Sequence, residues 1–191
     1  MIIKISFIVF VCLSLISCNN ETPTKQPQEI QKSDSALVNI DSCSILNAEA
    51  RRLDAILINA TELNDKVADN AIKTFFNFAM KCKNDSLSPI FLVKAGQVAQ
   101  SVHKYTQAQS CFTKCIEEFP DFKNRGASMF LLAQLYDDKS MLNNESEART
   151  IYEQIIREYP KSPFANDAKA CIKNIGKTDE QLIEEFLKKN K

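Results

Sequence analysis

Apolar residues from about Asn39 to the end of the chain recur at intervals of three and four positions. This spacing places them on one face of an α-helix, and no stretch shows the strict alternation of a half-buried strand. The pattern predicts helices over about 44–58, 65–83, 88–102, 106–119, 123–138, 144–159, 162–175 and 178–189. The connections are short, so consecutive helices are expected to lie antiparallel. The predicted fold class is all-α.

Local start and stop signals support these boundaries. Ser88-Pro89 and Ser162-Pro163 each offer an N-cap followed by proline in the first turn. Thr106–Gln109 and Thr178–Gln181 have the spacing of a capping box. Gly176 follows the seventh predicted helix, where glycine commonly ends a helix.

Two of the predicted helices carry the same pattern forty residues apart. The matching pairs are Ala108 with Ala148, Phe112 with Tyr152, Cys115 with Ile155, Phe119 with Tyr159 and Pro120 with Pro160. This pattern resembles the second helix of a tetratricopeptide repeat. Gly96 and Leu132-Ala133 resemble the small-residue step of the first helices, where two helices approach closely. The resemblance covers about 89–173 and implies a superhelix of antiparallel helix pairs. A helical bundle without repeats is the alternative.

The repeat in this chain is longer than the usual 34 residues. The additional residues fall between Pro120 and Ala133 and between Ala133 and Ala148, where turns are expected to absorb them. The last predicted helix has an apolar stripe consisting of Leu182, Ile183, Phe186 and Leu187. We expect it to act as a capping helix over the open C-terminal end of the superhelix.

The start of the chain has a different character. A short basic start and an apolar run of about twelve residues lead to Leu15-Ile16-Ser17-Cys18, which polar residues follow at once. The run is too short to span a bilayer, and it has the organisation of an export signal. The four residues resemble the lipobox of bacterial lipoproteins, which implies cleavage before Cys18 and lipidation of its sulfur. An ordinary cleaved signal with an incidental cysteine is the alternative.

These features divide the chain into three segments. We expect a lipoprotein signal peptide over residues 1–17 and a flexible, lipid-anchored tether over residues 18–38. The tether is polar and carries Pro23 and Pro27, so it buries too little apolar surface to fold. Residues 39–191 would form one tetratricopeptide-repeat domain, a length sufficient for a real core.

Composition and motifs exclude several functions. The 24 basic residues balance the 24 acidic ones, so no basic excess favours nucleic acid. The three glycines are far apart, which excludes a phosphate-binding glycine loop. His103, the one histidine, is expected at an exposed turn, and with Cys111 and Cys115 it lacks the spacing of a metal site. We therefore expect no metal, no small-molecule cofactor and no catalytic residue.

The chain has seven cysteines, and five remain if Cys12 is removed with the signal and Cys18 carries lipid. A chain of this size needs no disulfide staple, so most of the five are predicted to be small buried hydrophobic residues. The sequence leaves open whether any of them pair. The five are Cys43, Cys82, Cys111, Cys115 and Cys171.

The tetratricopeptide resemblance also implies a binding surface, because first helices line the concave face of such superhelices. The side chains expected there are Gln97, Gln100, Ser101, Phe130, Gln134 and Asp137. Phe130 would be the apolar anchor for a protein or peptide partner. Inward packing of Phe130 against the preceding unit is the alternative.

In organisation the chain resembles the helical-repeat lipoprotein of the outer-membrane-protein assembly machine and the Tol-Pal coordinator. This resemblance implies a non-enzymatic adaptor or scaffold in envelope assembly, anchored by lipid. Asn19 rather than Asp follows Cys18, which favours the outer membrane, with the domain facing the periplasm. A substrate-capture lipoprotein for nutrient uptake is the alternative, although the chain has no Trp with which to hold a sugar.

Overall fold

The computed structural model describes residues 34–190, with side chains from residue 42 onward. The proposed signal peptide, Cys18 and most of the proposed tether lie outside the described residues. Within that range the chain is entirely helical, without strands. The helices are α1 (Asp34–Asn59), α2 (Asp65–Lys81), α3 (Ser88–Ser101), α4 (Tyr105–Glu118), α5 (Arg125–Asp137), α6 (Glu145–Glu158), α7 (Pro163–Asn174) and α8 (Asp179–Lys189). The all-α prediction is confirmed.

Helices α1 to α7 form a chain of neighbours, in which each helix packs against the next. Helix α5 also contacts α7, so alternate helices approach each other on one side of the stack. The predicted helix boundaries agree within a few residues, except that α1 begins at Asp34 instead of Ser44. No Pro or Gly lies between these two residues, so nothing in the sequence ends the helix there.

The predicted caps are only partly correct. Ser162 accepts a hydrogen bond from the Ala165 amide, and Thr178 forms the predicted capping box with Gln181. Helix α4, however, begins at Tyr105 with Lys104 at its N-cap and no side-chain cap, so the box predicted at Thr106 is wrong. Ser88 lies inside α3, and its hydroxyl donates to the Cys82 carbonyl at 2.6 Å.

The repeated positions form the core of two successive helix pairs. Three of the five matched pairs have no exposed surface, and they are Ala108, Phe112, Cys115, Ala148, Tyr152 and Ile155. Phe119 and Tyr159 are half-buried, and the two prolines are exposed. Residues four apart lie on the same face of a helix, which is why one register of the pattern can bury a whole face. This confirms the register that the sequence predicted. The additional residues also lie in turns, between α4 and α5 and between α5 and α6.

Gly96 is a point of close approach between α3 and α4. A Cβ atom built on Gly96 would lie 2.4 Å from Cε1 of the Phe112 ring. Real Cβ atoms are essentially never found so close to another atom, so no other residue fits here without a shift. The absence of a side chain at position 96 thus allows the Phe112 ring to pack on the α3 backbone.

Arg125, the first residue of α5, connects three helices. Its Nε donates to the Ile116 carbonyl of α4 at 3.0 Å. Its Nη1 donates to the Glu158 carboxylate of α6 at 2.7 Å and to the Tyr159 hydroxyl at 3.1 Å. One guanidinium therefore connects the C-terminal ends of α4 and α6 across the start of α5.

A disulfide bond joins Cys43 of α1 to Cys82, which directly follows α2. The expectation that the chain needs no disulfide staple is therefore wrong. Among the described side chains of α1, only Ala50 and Leu53 are fully buried, so this helix has little apolar contact with the domain. The disulfide therefore links α1 covalently to the end of α2, at a helix that buries few of its own side chains. Cys111 and Cys115 are buried thiols, as predicted, and Cys171 is a half-buried thiol.

Helix α8 lies at the C-terminal end, as predicted for a capping helix, but its apolar stripe is largely uncovered. The exposed fractions are 59% for Ile183, 66% for Phe186 and 55% for Leu187. Leu182 alone of the stripe is half-buried. The expectation that the whole stripe covers the end of the superhelix is therefore wrong. Amphipathic spacing identifies an apolar face, but it does not determine what the face contacts.

Candidate functional site

A groove of about 470 Å³ runs along one side of the stack, where helices α3, α5 and α7 face each other. We call it the α3–α5–α7 groove. Its lining residues are Ile90, Val93, Lys94, Gln97, Phe122, Asn124, Ala127, Ser128, Leu131 and Phe164. Helical periodicity explains the set, because the α3 members are spaced by three or four residues and so share one face.

The walls of the groove are apolar. Ile90 is 37% exposed at the surface of α3. Val93 and Leu131 are half-buried, since each also packs on the core beneath it. Phe164 of α7 lies against Phe130, with ring centroids 5.7 Å apart. The groove thus presents a partly exposed apolar surface backed by a packed core, which is typical of binding clefts.

Lys94 is the one charged side chain among these lining residues. Its ammonium group contacts both carboxylate oxygens of Asp54, on α1, at 2.5 Å. The same nitrogen lies 5.8 Å from the centroid of the Phe91 ring. Both members of the ion pair are partly shielded, with side chains 34% and 23% exposed. The positive charge in the groove is therefore neutralised within the domain.

The residues predicted to bind a partner do not all lie together. Gln97 is exposed and lines the α3–α5–α7 groove. Gln100 and Ser101 lie nearer the end of α3 and do not line it. The Gln100 amide donates to the Met141 sulfur at 3.5 Å, and the Ser101 hydroxyl donates to the Val98 carbonyl at 2.8 Å. Gln100 therefore contacts the α5–α6 turn, and its amide is engaged within the domain.

Phe130 is half-buried and packs within the domain. Its ring centroid lies 5.6 Å from that of Tyr152 on α6 and 5.7 Å from that of Phe164 on α7. The ring thus packs against the second helix of its own unit and the start of the following one, whereas the sequence alternative placed it against the preceding unit. Phe130 supports the wall that Phe164 forms, and its role as an anchor for a partner stays a prediction.

Gln134 and Asp137 line a second concavity, of about 390 Å³, between α5, α6 and α7. The Asp137 carboxylate accepts a hydrogen bond from the Tyr152 hydroxyl at 3.3 Å. Burial raises the pKa of Asp137, the Tyr152 hydrogen bond lowers it, and the charges of Glu145 and Asp138 raise it further. Of the six predicted residues, one therefore lines the groove, two line the second concavity, two lie at the end of α3, and Phe130 packs within the domain.

Sequence reasoning missed several lining residues, above all Lys94 with its partner Asp54. They are forty positions apart on different helix pairs, and no motif connects them. Ile90 and Lys94 share the face of Val93 and Gln97, so helical periodicity could have identified them. Phe122, Asn124 and Phe164 come from turns and from the start of α7, where the sequence carries no comparable signal.

Other candidate chemistry is weak in the described part of the chain. Burial raises the pKa of the Cys111 thiol to about 12 and also raises the pKa of Cys115. His103 is exposed at the α3–α4 turn with φ of 60°, and its Nδ1 lies 2.7 Å from the Tyr105 hydroxyl. Between residues 34 and 190, no three His, Cys, Asp or Glu side chains come together as a potential metal site. Among the described helices, none has the length and apolar character needed to cross a bilayer.

Comparison with known families gives one match. Residues 127–162 match the family described as tetratricopeptide repeat. The match covers nearly all of α5, the whole of α6 and the turn that ends at Ser162, which is the register derived from Ala148 and Tyr152. No curated protein sequence matches the chain. The chain therefore has the all-α fold of a tetratricopeptide-repeat protein, with one repeat identified at residues 127–162.

Proposed function

We propose that this protein is a lipid-anchored adaptor of a bacterial cell envelope that binds a protein or peptide partner in the α3–α5–α7 groove. The observation that carries the proposal is the groove itself, because it presents partly exposed apolar residues from every second helix, namely α3, α5 and α7. Tetratricopeptide repeats support protein–protein interaction, and each unit adds one helix to a continuous surface. The groove corresponds to the concave face of such a superhelix.

The envelope location rests on two independent features. Leu15-Ile16-Ser17-Cys18 has the pattern at which bacterial lipoproteins are cleaved and lipidated. The Cys43–Cys82 disulfide agrees with export, because disulfides persist in oxidising compartments and are rare in the cytosol. We propose attachment to the outer membrane, with the domain in the periplasm and a role in envelope or outer-membrane assembly.

Photocrosslinking in the native envelope tests the binding part of this proposal. A photoreactive side chain is placed at position 97 in the groove, at 134 in the second concavity, or at controls 117 and 157. Gln97, Gln134, Glu117 and Arg157 are all exposed, so the replacements are matched for solvent access. We expect a protein adduct from position 97 and none from the two controls.

The distribution of adducts decides between surfaces. Adducts from position 134 alone would show that the partner binds in the concavity beside Asp137 and not in the groove. Equal or stronger adducts from positions 117 and 157 would show that the second helices of the units, and not the groove, contact partners.

A further inference from the structure

We infer that the α3–α5–α7 groove selects an uncharged, apolar segment of its partner, and that Asp54 sets this selectivity by neutralising Lys94. The inference rests on the proposed function and specifies the chemistry of the partner. It follows from one ion pair and from the composition of the groove walls.

The Lys94 ammonium group cannot act as a free cation toward a ligand. Its contacts with Asp54 engage both carboxylate oxygens, and the pair is only partly exposed. A ligand carboxylate would have to share the ammonium with Asp54, whose negative charge repels it, or displace Asp54 and leave that side chain unpaired in a shielded position. Leaving one member of such a pair without a partner costs more than the pair contributes. An acidic segment or a C-terminal carboxylate therefore gains little in this groove.

A basic segment is equally disfavoured. Asp54 already has its cation, and an incoming ammonium or guanidinium would lie close to Lys94, which carries the same charge. Like charges brought together in a partly desolvated site repel, and solvent screens them less than at the surface. The ion pair thus disfavours binding of both negatively and positively charged segments.

The remaining lining residues favour apolar side chains. Ile90, Val93 and Leu131 form the two long walls, while Phe122 and Phe164 line other parts of the groove. Gln97 and Asn124 add amide groups that can donate to and accept from a peptide backbone. A volume of about 470 Å³ suits a short extended segment that inserts a few side chains, and not a folded surface.

A peptide selection tests the inference. The full chain, held in nanodiscs, is panned against a displayed library of random twelve-residue peptides, with empty nanodiscs as the background. We expect enrichment of peptides rich in Leu, Ile and Phe with few charged residues. Ile90→Asp places a charge on the exposed wall and should abolish capture of the enriched peptides, which locates them in the groove.

The role of Asp54 is tested by repeating the selection with variants. Asp54→Asn frees Lys94, and we expect the frequency of Asp and Glu in selected peptides to rise at least fivefold. The matched control is Asp69→Asn, which removes the carboxylate that pairs with Lys104 outside the groove and should leave the selection unchanged. The double variant Asp54→Asn, Lys94→Gln removes both charges and should restore the preference for uncharged peptides. This result would show that the change seen with Asp54→Asn comes from the charge of Lys94 and not from a loss of structure.

Each result has a defined meaning. Acidic or basic peptides enriched by the parent would overturn the selectivity, and an unchanged selection with folded Asp54→Asn would overturn the role of Asp54. No enrichment above empty nanodiscs would also overturn the inference. Adducts from position 97 in the envelope would then show that the groove binds a partner of different chemistry, so the proposed function would survive.

Discussion

The α3 backbone at Gly96 lies directly beneath the ring of Phe112, so close that an added Cβ would be 2.4 Å from Cε1. The two residues are on successive helices of one pair, and the Phe112 ring fills the space that a side chain at position 96 would occupy. Gly96 and Phe112 therefore set how closely α3 approaches α4.

Gly96→Ala should destabilise the domain, although alanine favours helix by about 1 kcal/mol over glycine. The added methyl forces the Phe112 ring to move in a packed core, and overpacking of this kind costs about 1–3 kcal/mol before the helix gain is subtracted, which leaves a net loss of up to about 2 kcal/mol. Urea denaturation measures the change in the free energy of unfolding. The neighbouring exposed Gln97→Ala is the control and should stay within about 0.5 kcal/mol of the parent. Introducing Phe112→Leu should reduce the penalty of Gly96→Ala, and additive effects would contradict the contact.

Phe112→Ala and Tyr152→Ala should each reduce the free energy of unfolding by about 3–5 kcal/mol, because both side chains are completely buried. Phe186→Ala is the matched control, since its ring is 66% exposed and its removal leaves no cavity. Thermal or urea unfolding followed by circular dichroism gives the comparison. A Phe112→Ala variant as stable as the control would mean that the repeat register is incorrect.

Removal of the disulfide by Cys43→Ser should destabilise the domain by about 2–4 kcal/mol, because the bond closes a loop between positions 39 apart. The effect should concentrate in α1, which is held by little apolar burial. Limited proteolysis should then cut α1 before the rest of the domain. Uniform proteolysis across all helices, or none at α1, would argue against a local role for this bond.

The three free thiols of the described domain should differ in reactivity toward iodoacetamide at pH 8. The thiolate is the reactive form, and the raised pKa of about 12 leaves roughly one Cys111 thiol in ten thousand ionised. Burial raises the pKa of Cys115 and Cys171 as well, but Cys171 is only half-buried. Mass spectrometry of the folded protein should therefore find Cys171 modified first. Cys111 and Cys115 should react readily only after unfolding, and early labelling of Cys111 would contradict its burial.

Cys18→Ala should abolish membrane attachment. Each buried methylene of a lipid contributes about 0.8 kcal/mol, so two or three acyl chains hold a protein firmly where one does not. Fractionation and intact mass would show an uncleaved or soluble species lacking lipid. An unchanged mass and unchanged membrane association would remove the lipoprotein part of the proposal. The same substitution at Cys171 serves as the control, because that residue lies in the folded domain.

The sequence predicted the fold best where contacts are local. Ala108, Phe112 and Cys115 lie three or four positions apart on one face of α4, so the burial of all three follows from the periodicity of a single helix. Contacts between distant positions left no such pattern. Cys43 and Cys82 meet because α1 packs against α2, and Asp54 and Lys94 meet where α1 approaches α3, and no spacing rule signals that either pair forms. Of the six residues predicted to bind a partner, only Gln97 lines the α3–α5–α7 groove, and the prediction named residues of α3 and α5 but none of α7.

Caps and terminal faces were missed for a different reason. Thr106 has the right spacing for a capping box, yet α4 begins at Tyr105, after the turn at His103, with Lys104 at the N-cap, two residues before Thr106. The stripe on α8 is periodic, but periodicity carries no information about the element that would cover Ile183 and Phe186.

The guanidinium of Arg125 has a consequence for the width of the groove. Arg125 begins α5, and the neighbouring residues Asn124, Ala127 and Ser128 line the groove. Its bonds to Ile116 and Glu158 attach this end of α5 to the two flanking helices. A ligand that moves this end of α5 away from α4 or α6 must therefore break these charge-assisted hydrogen bonds. These hydrogen bonds oppose any widening of the groove that moves α5 away from α4 and α6. Ligands that need such widening are therefore disfavoured.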